Sequence, residues 1–566
     1  MRKKLIITKV LVYFTIIHIS TPLFSNKELL PPYCAVSTAH SLATEAGKKI
    51  LKKGGNAFDA AIAVTAVLAV VEPSSSGLGG GGFWLLHIND SNENVFIDGR
   101  EVAPLRSNED MFLYADGSIN YEAKRNSGLA AGIPGQVAAL DYISQKYGQI
   151  PLQTCLQDAI EIAENGFQID TKFRELLKKR IGVCQKDPEF CHLFAPNQNI
   201  PDEDFLLVQK DLAETLKEIA LHGSKGFYNG WVAEKIIESV NDHGGIWTSE
   251  DLQSYECIER DAYTFHYLDA EIITAPPPSS GGVVLHQILN MLTAYDIGSM
   301  PKEQYTHILV ECMQRGYHDR NLYLGDPDYT TMPLEELSSL QYARQLNNSI
   351  QQDKHTPSHT LSESPIYDSS NLNTTHFSIL DTDGNCISAT LSINLPFGAG
   401  FVAKGTGVIL NNEMDDFIAK RGEVNTHGFV GQEVNSIEPG KRMLSSMSPT
   451  IFRHKERVGI LGTPGGSRII SQVLLALLNA FEGNNTQSWV NLPRFHHQYL
   501  PDKIYFEPGT LDPVIEKKLK AKGHTIEESD YTWGHMHAIL WDKENAIVEA
   551  ASDPRWKSGK ALVFSK

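Results

Sequence analysis

Thr374 stands in the run Asn373-Thr374-Thr375-His376-Phe377-Ser378. A threonine hydroxyl becomes a useful nucleophile only when a base takes its proton, and at a chain N-terminus its own α-amine, with a pKa of about 8, can be that base. Inside a longer chain the amine is tied up in the bond to Asn373, so activity would require a cut there. The hydroxyl can make the cut itself. Attack on the carbonyl carbon of Asn373 forms an ester and frees the amine, and water then hydrolyses the ester. One product ends at Asn373 and the other begins at Thr374. Acyl transfer also asks for donors aimed at the developing oxyanion. Gly465-Gly466, in Pro464-Gly465-Gly466-Ser467-Arg468, offers two backbone N–H groups with no side chain in the way. A tight turn between a strand at 458–461 and a helix from about Ile469 explains the same glycines, and both roles can hold together.

A third group of residues suits an amino-acid head. Arg100, in Asp98-Gly99-Arg100-Glu101, presents a fork for a carboxylate, and Ser445 and Ser446 add hydroxyl donors. Glu413 and Asp416, three apart, converge on an ammonium if their segment makes a helical turn, with Asn394 adding an amide oxygen. Asp415-Asp416 beside Glu413 also permits a divalent-metal reading, but no further oxygen-ligand pattern supports a cage. Taken singly, each of these residues is most often a solvated surface group.

The elements that must hold them follow from pattern. Residues 38–53 read as a helix stopped by Gly54-Gly55, and Asn56 caps a second, nearly all-apolar helix over 57–71. Four glycines, Gly79 to Gly82, lead into a strand at 83–87 and signal close passage of backbone; no Gly-Lys-Ser/Thr follows to make a phosphate loop. Residues 135–260 are mostly helical, as at 152–165 and 212–221, and a Pro/Ser/Gly stretch at 276–282 precedes a helix at 283–295. Residues 347–373 read as an exposed linker. From Thr374 the pattern turns to strands. A two-residue Asp383-Gly384 turn would set residue 374 opposite Ile393. A three-residue loop with Gly384 left-handed sets Thr374 beside Ser392, and we take the second.

The 566 residues are 42% apolar and 21% charged, with a formal net charge of −18. That balance argues against a nucleic-acid surface. Met1-Arg2-Lys3-Lys4 followed by the apolar 5–19 and a small-residue stretch ending at Ser25 reads as a signal peptide, too short for a comfortable membrane span. Of seven cysteines, Cys184 and Cys191 are near enough to close a small loop, or are simply two thiols; the others lack metal-ligand spacing.

Thr374-Thr375, Asn411-Asn412-Glu413-Met414-Asp415-Asp416-Phe417, Leu444-Ser445-Ser446-Met447-Ser448-Pro449 and Pro464 to Arg468 together resemble the γ-glutamyltransferases. The similarity runs from Gly54-Gly55-Asn56-Ala57 to Ala551-Ser552-Asp553-Pro554-Arg555. It implies an α+β fold, the αββα N-terminal-nucleophile hydrolase sandwich built by two autoprocessed subunits. The organisation would be signal 1–25, large subunit 26–373 and small catalytic subunit 374–566, the two subunits forming a heterodimer from one precursor. The resemblance further implies a γ-glutamyl ester on Thr374, passed to water, amino acids or dipeptides, with glutathione and other γ-glutamyl compounds as donors. No cofactor, metal, nucleic acid or stable membrane span is expected, and the location is secreted, periplasmic in a Gram-negative cell. Family roles fall on Thr374 as nucleophile, Ser392 as its hydroxyl partner and Gly465-Gly466 as oxyanion hole. Arg100, Ser445 and Ser446 match the carboxylate clamp, and Asn394, Glu413 and Asp416 the ammonium side. Ser392 replaces a frequent threonine, and His427, in a lid-like stretch over 418–439, falls near an aromatic gate of some bacterial members.

Three alternatives compete. A cephalosporin or glutaryl acylase would have no ammonium for Asp416 to meet. A poly-γ-glutamate-cleaving relative fits poorly with a lid. A secreted binding or adhesion protein with a degenerate site would fail to cut itself.

Overall fold

The computed structural model describes residues 29–361, 373–420, 423 and 433–566. Two antiparallel sheets pack face to face, with helices on both outer sides. Strands are numbered along the chain across both sheets. The first sheet takes β1 (Cys34–Thr38), β2 (Gly81–Ile88), β3 (Glu93–Gly99), β4 (Ile258–Asp261), β7 (Thr375–Leu380), β8 (Cys386–Ser392) and β13 (Lys560–Phe564), in the order β13-β1-β7-β8-β2-β3-β4. The second takes β5 (Tyr263–Tyr267), β6 (Ala270–Thr274), β9 (Thr450–His454), β10 (Arg457–Gly462), β11 (His537–Asp542) and β12 (Ile547–Ser552), in the order β12-β11-β10-β9-β6-β5. This is the αββα sandwich. Because β7 and β8 sit between β1 and β2, chain from both sides of Thr374 interlocks in one sheet.

Helices α1 (Ser41–Lys52) and α2 (Ala57–Val71) cover the first sheet. Asn56 caps α2 in a reciprocal capping box with Asp59, and α2 is buried along its whole length, because α3 (Leu152–Asn165) packs on its other side. α4 (Thr171–Cys184) and α5 (Lys210–His222) complete that layer. α6 (Gly281–Leu292), α7 (Lys302–Tyr323) and α8 (Arg468–Phe481) cover the second sheet.

The alternation around Thr374 has an unusual meaning. Phe377, Ile379, Ile387, Ala389 and Leu391 join the helix-covered core. Their polar neighbours face the second sheet, not water. Ser378 Oγ donates to the His537 carbonyl at 3.0 Å, and Ser388 Oγ donates to the Leu461 carbonyl at 3.0 Å while accepting from Thr450 N at 3.0 Å. A buried hydroxyl is affordable only when paired in this way.

Two expectations change. The helix read over 38–53 begins only at Ser41, because Cys34–Thr38 is a strand and the His40 side chain caps the helix. The linker read over 347–373 is pinned in its first half. Asn347 still belongs to a helix, and His355 and Ser358 are buried against other parts of the chain. Residues 362–372, the signal stretch and His427 lie outside the described residues. All seven cysteines, Cys184 and Cys191 included, are free thiols. Among the described residues no helix is long and apolar enough to cross a membrane.

Candidate active site

The β7–β8 hairpin fixes the position of Thr374. Thr375 pairs with Leu391 and Leu380 with Cys386, the Asp381 N–H bonds the Asn385 carbonyl at 3.1 Å, and Gly384 has φ +85°. The three-residue loop is therefore the one used, which sets Thr374 opposite Ser392. Asp381 ties the loop down, accepting from Asp383 N and Asn385 N at 2.9 Å each and from Ala57 N at the start of α2.

Thr374 is 3% exposed. In this uncut chain its hydroxyl donates to the carbonyl oxygen of Asn373, the carbonyl whose carbon self-cleavage would attack. Asn373 is itself clamped: its amide donates to the Ser74 carbonyl, and Ser75 Oγ donates to its side-chain oxygen at 3.2 Å. Ser392 Oγ accepts from Asn394 N at 2.8 Å, and Asn394 is held left-handed, at φ +68°, by its amide bond to the Asn412 carbonyl.

The glycine run has its reason here. A Cβ on Gly80 would come within 2.2 Å of the Ser392 carbonyl oxygen, and one on Gly79 within 2.1 Å of the Ile409 carbonyl oxygen. Only bare backbone fits. Asn411 links this run to the acidic turn, donating to the carbonyls of Gly79 and Gly132 at 2.7 Å each and accepting from Glu413 N at 3.0 Å.

Gly465 and Gly466 form the turn between β10 and α8, with φ +142° and +54°. Among the described residues neither N–H meets an acceptor, although their carbonyls take the first amides of the helix. Two open N–H groups at a strand-to-helix turn are suited to an oxyanion.

One cavity joins Thr374, Ser392, Asn394, Gly466 and the charged residues named from sequence. Their internal arrangement differs from the expected one. The sequence assigns Arg100 to a carboxylate side and Glu413 and Asp416 to an ammonium side. In the structure Arg100 Nη1 meets Glu413 at 2.7 Å and Nη2 meets Asp416 at 2.7 Å, all three buried. Charges removed from water pair with one another when no ligand does so. Burial opposes the Arg100 charge, but Glu413, Glu101 and Asp416 outweigh it and raise its pKa. Asp415 turns away to Lys124 and Arg125, at 3.5 and 3.3 Å, so the three acids do not converge as a metal cage would require. Ser445 and Ser446 are positioned by the Pro276–Gly282 stretch, where Ser280 N and Oγ both donate to the Ser445 carbonyl at 2.8 Å.

Arg320, on α7, was not singled out from sequence, yet it lines the same cavity. Its Nε donates to Ser280 Oγ at 3.0 Å and its Nη2 to Ser446 Oγ at 3.4 Å. Burial lowers its pKa to about 9, against the pull of Asp416. The signal was present only as one arginine among several charges on a long helix.

A sandwich of this kind, with a buried threonine heading an internal strand beside a glycine turn with open amides, is the architecture of an N-terminal-nucleophile hydrolase. The family model described as gamma-glutamyltranspeptidase matches residues 43–563. The glutathione hydrolase proenzyme of Pseudomonas sp. (strain A14) is 39% identical over 543 residues, covering 94% of each chain. The crystal structure of Helicobacter pylori gamma-glutamyltranspeptidase is 39% identical, covers 59% of this chain and 97% of its own, and has a TM-score of 0.56. Cephalosporin acylase from Bacillus halodurans, at 24% identity, shares the fold with a TM-score of 0.81, covering 97% of this chain and 99% of its own. The chain belongs to the gamma-glutamyltranspeptidase family. It is a γ-glutamyl hydrolase and transferase made as a single precursor.

Proposed function

We propose that the chain cuts its own Asn373–Thr374 bond and then hydrolyses glutathione and other γ-glutamyl compounds, or transfers their γ-glutamyl group to amino acids and dipeptides. The observation that carries this is the Thr374 hydroxyl resting on the Asn373 carbonyl, beside a turn whose two glycine amides meet no acceptor among the described residues. In the first step Thr374 Oγ1 bonds to the Asn373 carbonyl carbon, the C–N bond breaks, and the Thr374 nitrogen leaves as an amine. Water hydrolyses the ester and leaves a large subunit, 26–373, and a small one, 374–566. In the mature enzyme that amine takes the hydroxyl proton, Oγ1 attacks the γ-carbonyl of the donor, and the departing amine takes the proton back. The N–H groups of Gly465 and Gly466 receive the oxyanion, and the Ser392 hydroxyl supports the nucleophile.

In this reading the donor's α-carboxylate takes the cationic and hydroxyl side, Arg100, Ser445 and Ser446, to which Arg320 is added. Its ammonium takes Asn394, Glu413 and Asp416. Arg100 would then share its two acidic partners with the incoming ammonium. The N-terminal 25 residues direct export, to the periplasm if the cell is Gram-negative. Intact mass and N-terminal sequencing test the assignment together with release of p-nitroaniline from γ-glutamyl p-nitroanilide. Two chains, the smaller beginning Thr-Thr-His-Phe, with activity, are expected. A single uncut, inactive chain after long incubation would overturn it. Cell fractionation tests the export signal.

A further inference from the structure

The two amides read as oxyanion donors belong to two peptide planes, and the planes are held by different means. The Gly465–Gly466 plane is fixed by backbone, since the Gly465 carbonyl accepts from Arg468 N at 3.0 Å. The Pro464 carbonyl, in the plane that carries the Gly465 N–H, takes no backbone donor among the described residues. Side chains hold it instead: Gln472 Nε2 donates to it at 3.2 Å and Thr463 Oγ1 at 3.0 Å. We infer that Gln472, seconded by Thr463, is a positioning residue that aims the Gly465 N–H at the oxyanion. The inference rests on the γ-glutamyl transfer proposed above and deepens it.

Helix geometry explains the reach. Side chains on an α-helix lean toward its N-terminus, so that of Gln472, one turn into α8, folds back over the strand-to-helix turn. Its amide carries two protons, and both are used: one on the Pro464 carbonyl, the other on the Arg468 carbonyl at 3.1 Å. The single Thr463 hydroxyl proton is divided between the Pro464 carbonyl and Gln472 Oε1, 3.3 Å away, which leaves Gln472 the constant donor. Gln472 is 2% exposed and packed between two glycines. A Cβ on Gly465 would come within 2.5 Å of its Nε2, and one on Gly534 within 1.8 Å of its Oε1. Bare backbone on both sides is what lets so long a side chain lie there.

The consequence follows from the peptide bond. Pro464–Gly465 is trans, and in a planar trans unit the C=O and N–H point in opposite directions. Holding the Pro464 oxygen against Gln472 therefore turns the Gly465 N–H away from Gln472. Pro464 and Gly465 border a space that also reaches Asn373 and Thr374. Without the hold the plane is free to swing, and Gly465, with no Cβ and φ +142°, resists little. An oxyanion is stabilised by donors already aimed at the place where charge develops. A plane that swings thus costs transition-state stabilisation and leaves binding of the ground state alone.

The test is Gln472→Met, which keeps length and bulk and removes both protons, assayed with γ-glutamyl p-nitroanilide. Its kcat should fall roughly ten-fold, less than the loss of about 10²–10³ expected when an oxyanion donor is removed outright, with KM little changed. A glutamate analogue with a boronic acid in place of the γ-carboxyl group, to which Thr374 Oγ1 adds as a tetrahedral adduct, should lose affinity by about the same factor. L-glutamate itself should keep its inhibition constant. Thr463→Val, which removes the second donor at nearly constant volume, should lower kcat about two- to five-fold. That variant decides the matter if Gln472→Met fails to fold, as judged by thermal melting. An unchanged kcat, a loss of kcat/KM carried wholly by KM, or equal weakening of the boronate and glutamate would each overturn the inference. A wild-type chain that stays uncut or does not cleave the donor would instead take down the function on which it rests.

Discussion

Two buried clusters of charge in this molecule look alike in composition and behave differently. Around Thr374 stand Arg100, Arg320, Glu413 and Asp416. About α7 stand His307, Glu311, His355, His524 and Asp502, with ligand atoms of His307, Glu311 and His524 within 4.8 Å of one another. By residue type the second is the better metal site. Its hydrogen bonds are already spent, however. His355 donates one ring nitrogen to Glu311 at 2.9 Å and the other to Asp502 at 3.0 Å, Arg315 takes the second Glu311 oxygen at 2.8 Å, and His307 Nδ1 meets His524 Nε2 at 2.7 Å. At Thr374 the balance is reversed. The amides of Gly465 and Gly466 have no partner among the described residues. Unmet donors beside a cavity, more than a gathering of reactive residue types, mark where a reaction is to be completed by substrate.

The sharpest way to break that contrast is to remove the nucleophile. Thr374→Ala is expected to leave one uncut chain on a denaturing gel and to lower activity by a factor on the order of 10⁴ or more. A cut, active variant would end the assignment. Next in size is Gly465→Ala. The new Cβ meets Gln472 Nε2 at 2.5 Å in a backbone conformation, φ +142°, that alanine resists. Displacing that amide should cost about 10²–10³ in kcat. An unchanged kcat would show that the glycines serve the turn alone.

How legible this was differs between the clusters. The hairpin register could be read because the loop Thr382-Asp383-Gly384 admits few geometries, and one of them faces Thr374 with Ser392. The glycine run could be read as close passage because only glycine lacks a Cβ. What it passes, the Ser392 carbonyl, is a long-range contact that no local pattern encodes. The same limit hid Arg320 and the pairing of Arg100 with Glu413 and Asp416. Residues 351–358 read as polar linker for a related reason: His355 and Ser358 are polar yet buried, their partners lying far along the chain on α7 and at Asp502. Composition reports affinity for water and says nothing of a distant carboxylate.

Arg320 sharpens the comparison at the substrate end. Arg320→Ala removes a charged donor from Ser446 and from the cavity, so the donor KM should rise roughly ten-fold or more with a smaller change in kcat. Lys should restore part of the loss. Loss of kcat alone, with KM unmoved, would place Arg320 outside the donor site.

The histidine cluster gives the smallest effect and the cleanest sign. His355 touches acceptor-only carboxylates with both ring nitrogens, so both must carry protons. Burial opposes that charge, and His307, His497 and His524 also stand near, but Asp502 and Glu311 prevail and raise its pKa to about 9. A histidine raised above its unfolded value stabilises fully below about pH 6.5, and the contribution fades as pH climbs through about 9. His355 and Glu311 precede the proposed cut and Asp502 follows it, so the stabilisation acts between the two subunits. Urea denaturation should show the wild type losing about 1–3 kcal/mol more than His355→Gln between pH 6.5 and 9.5. Parallel pH curves for the two proteins would mean that His355 is neutral, and the cluster would then have a pair of lone electrons to offer a metal after all.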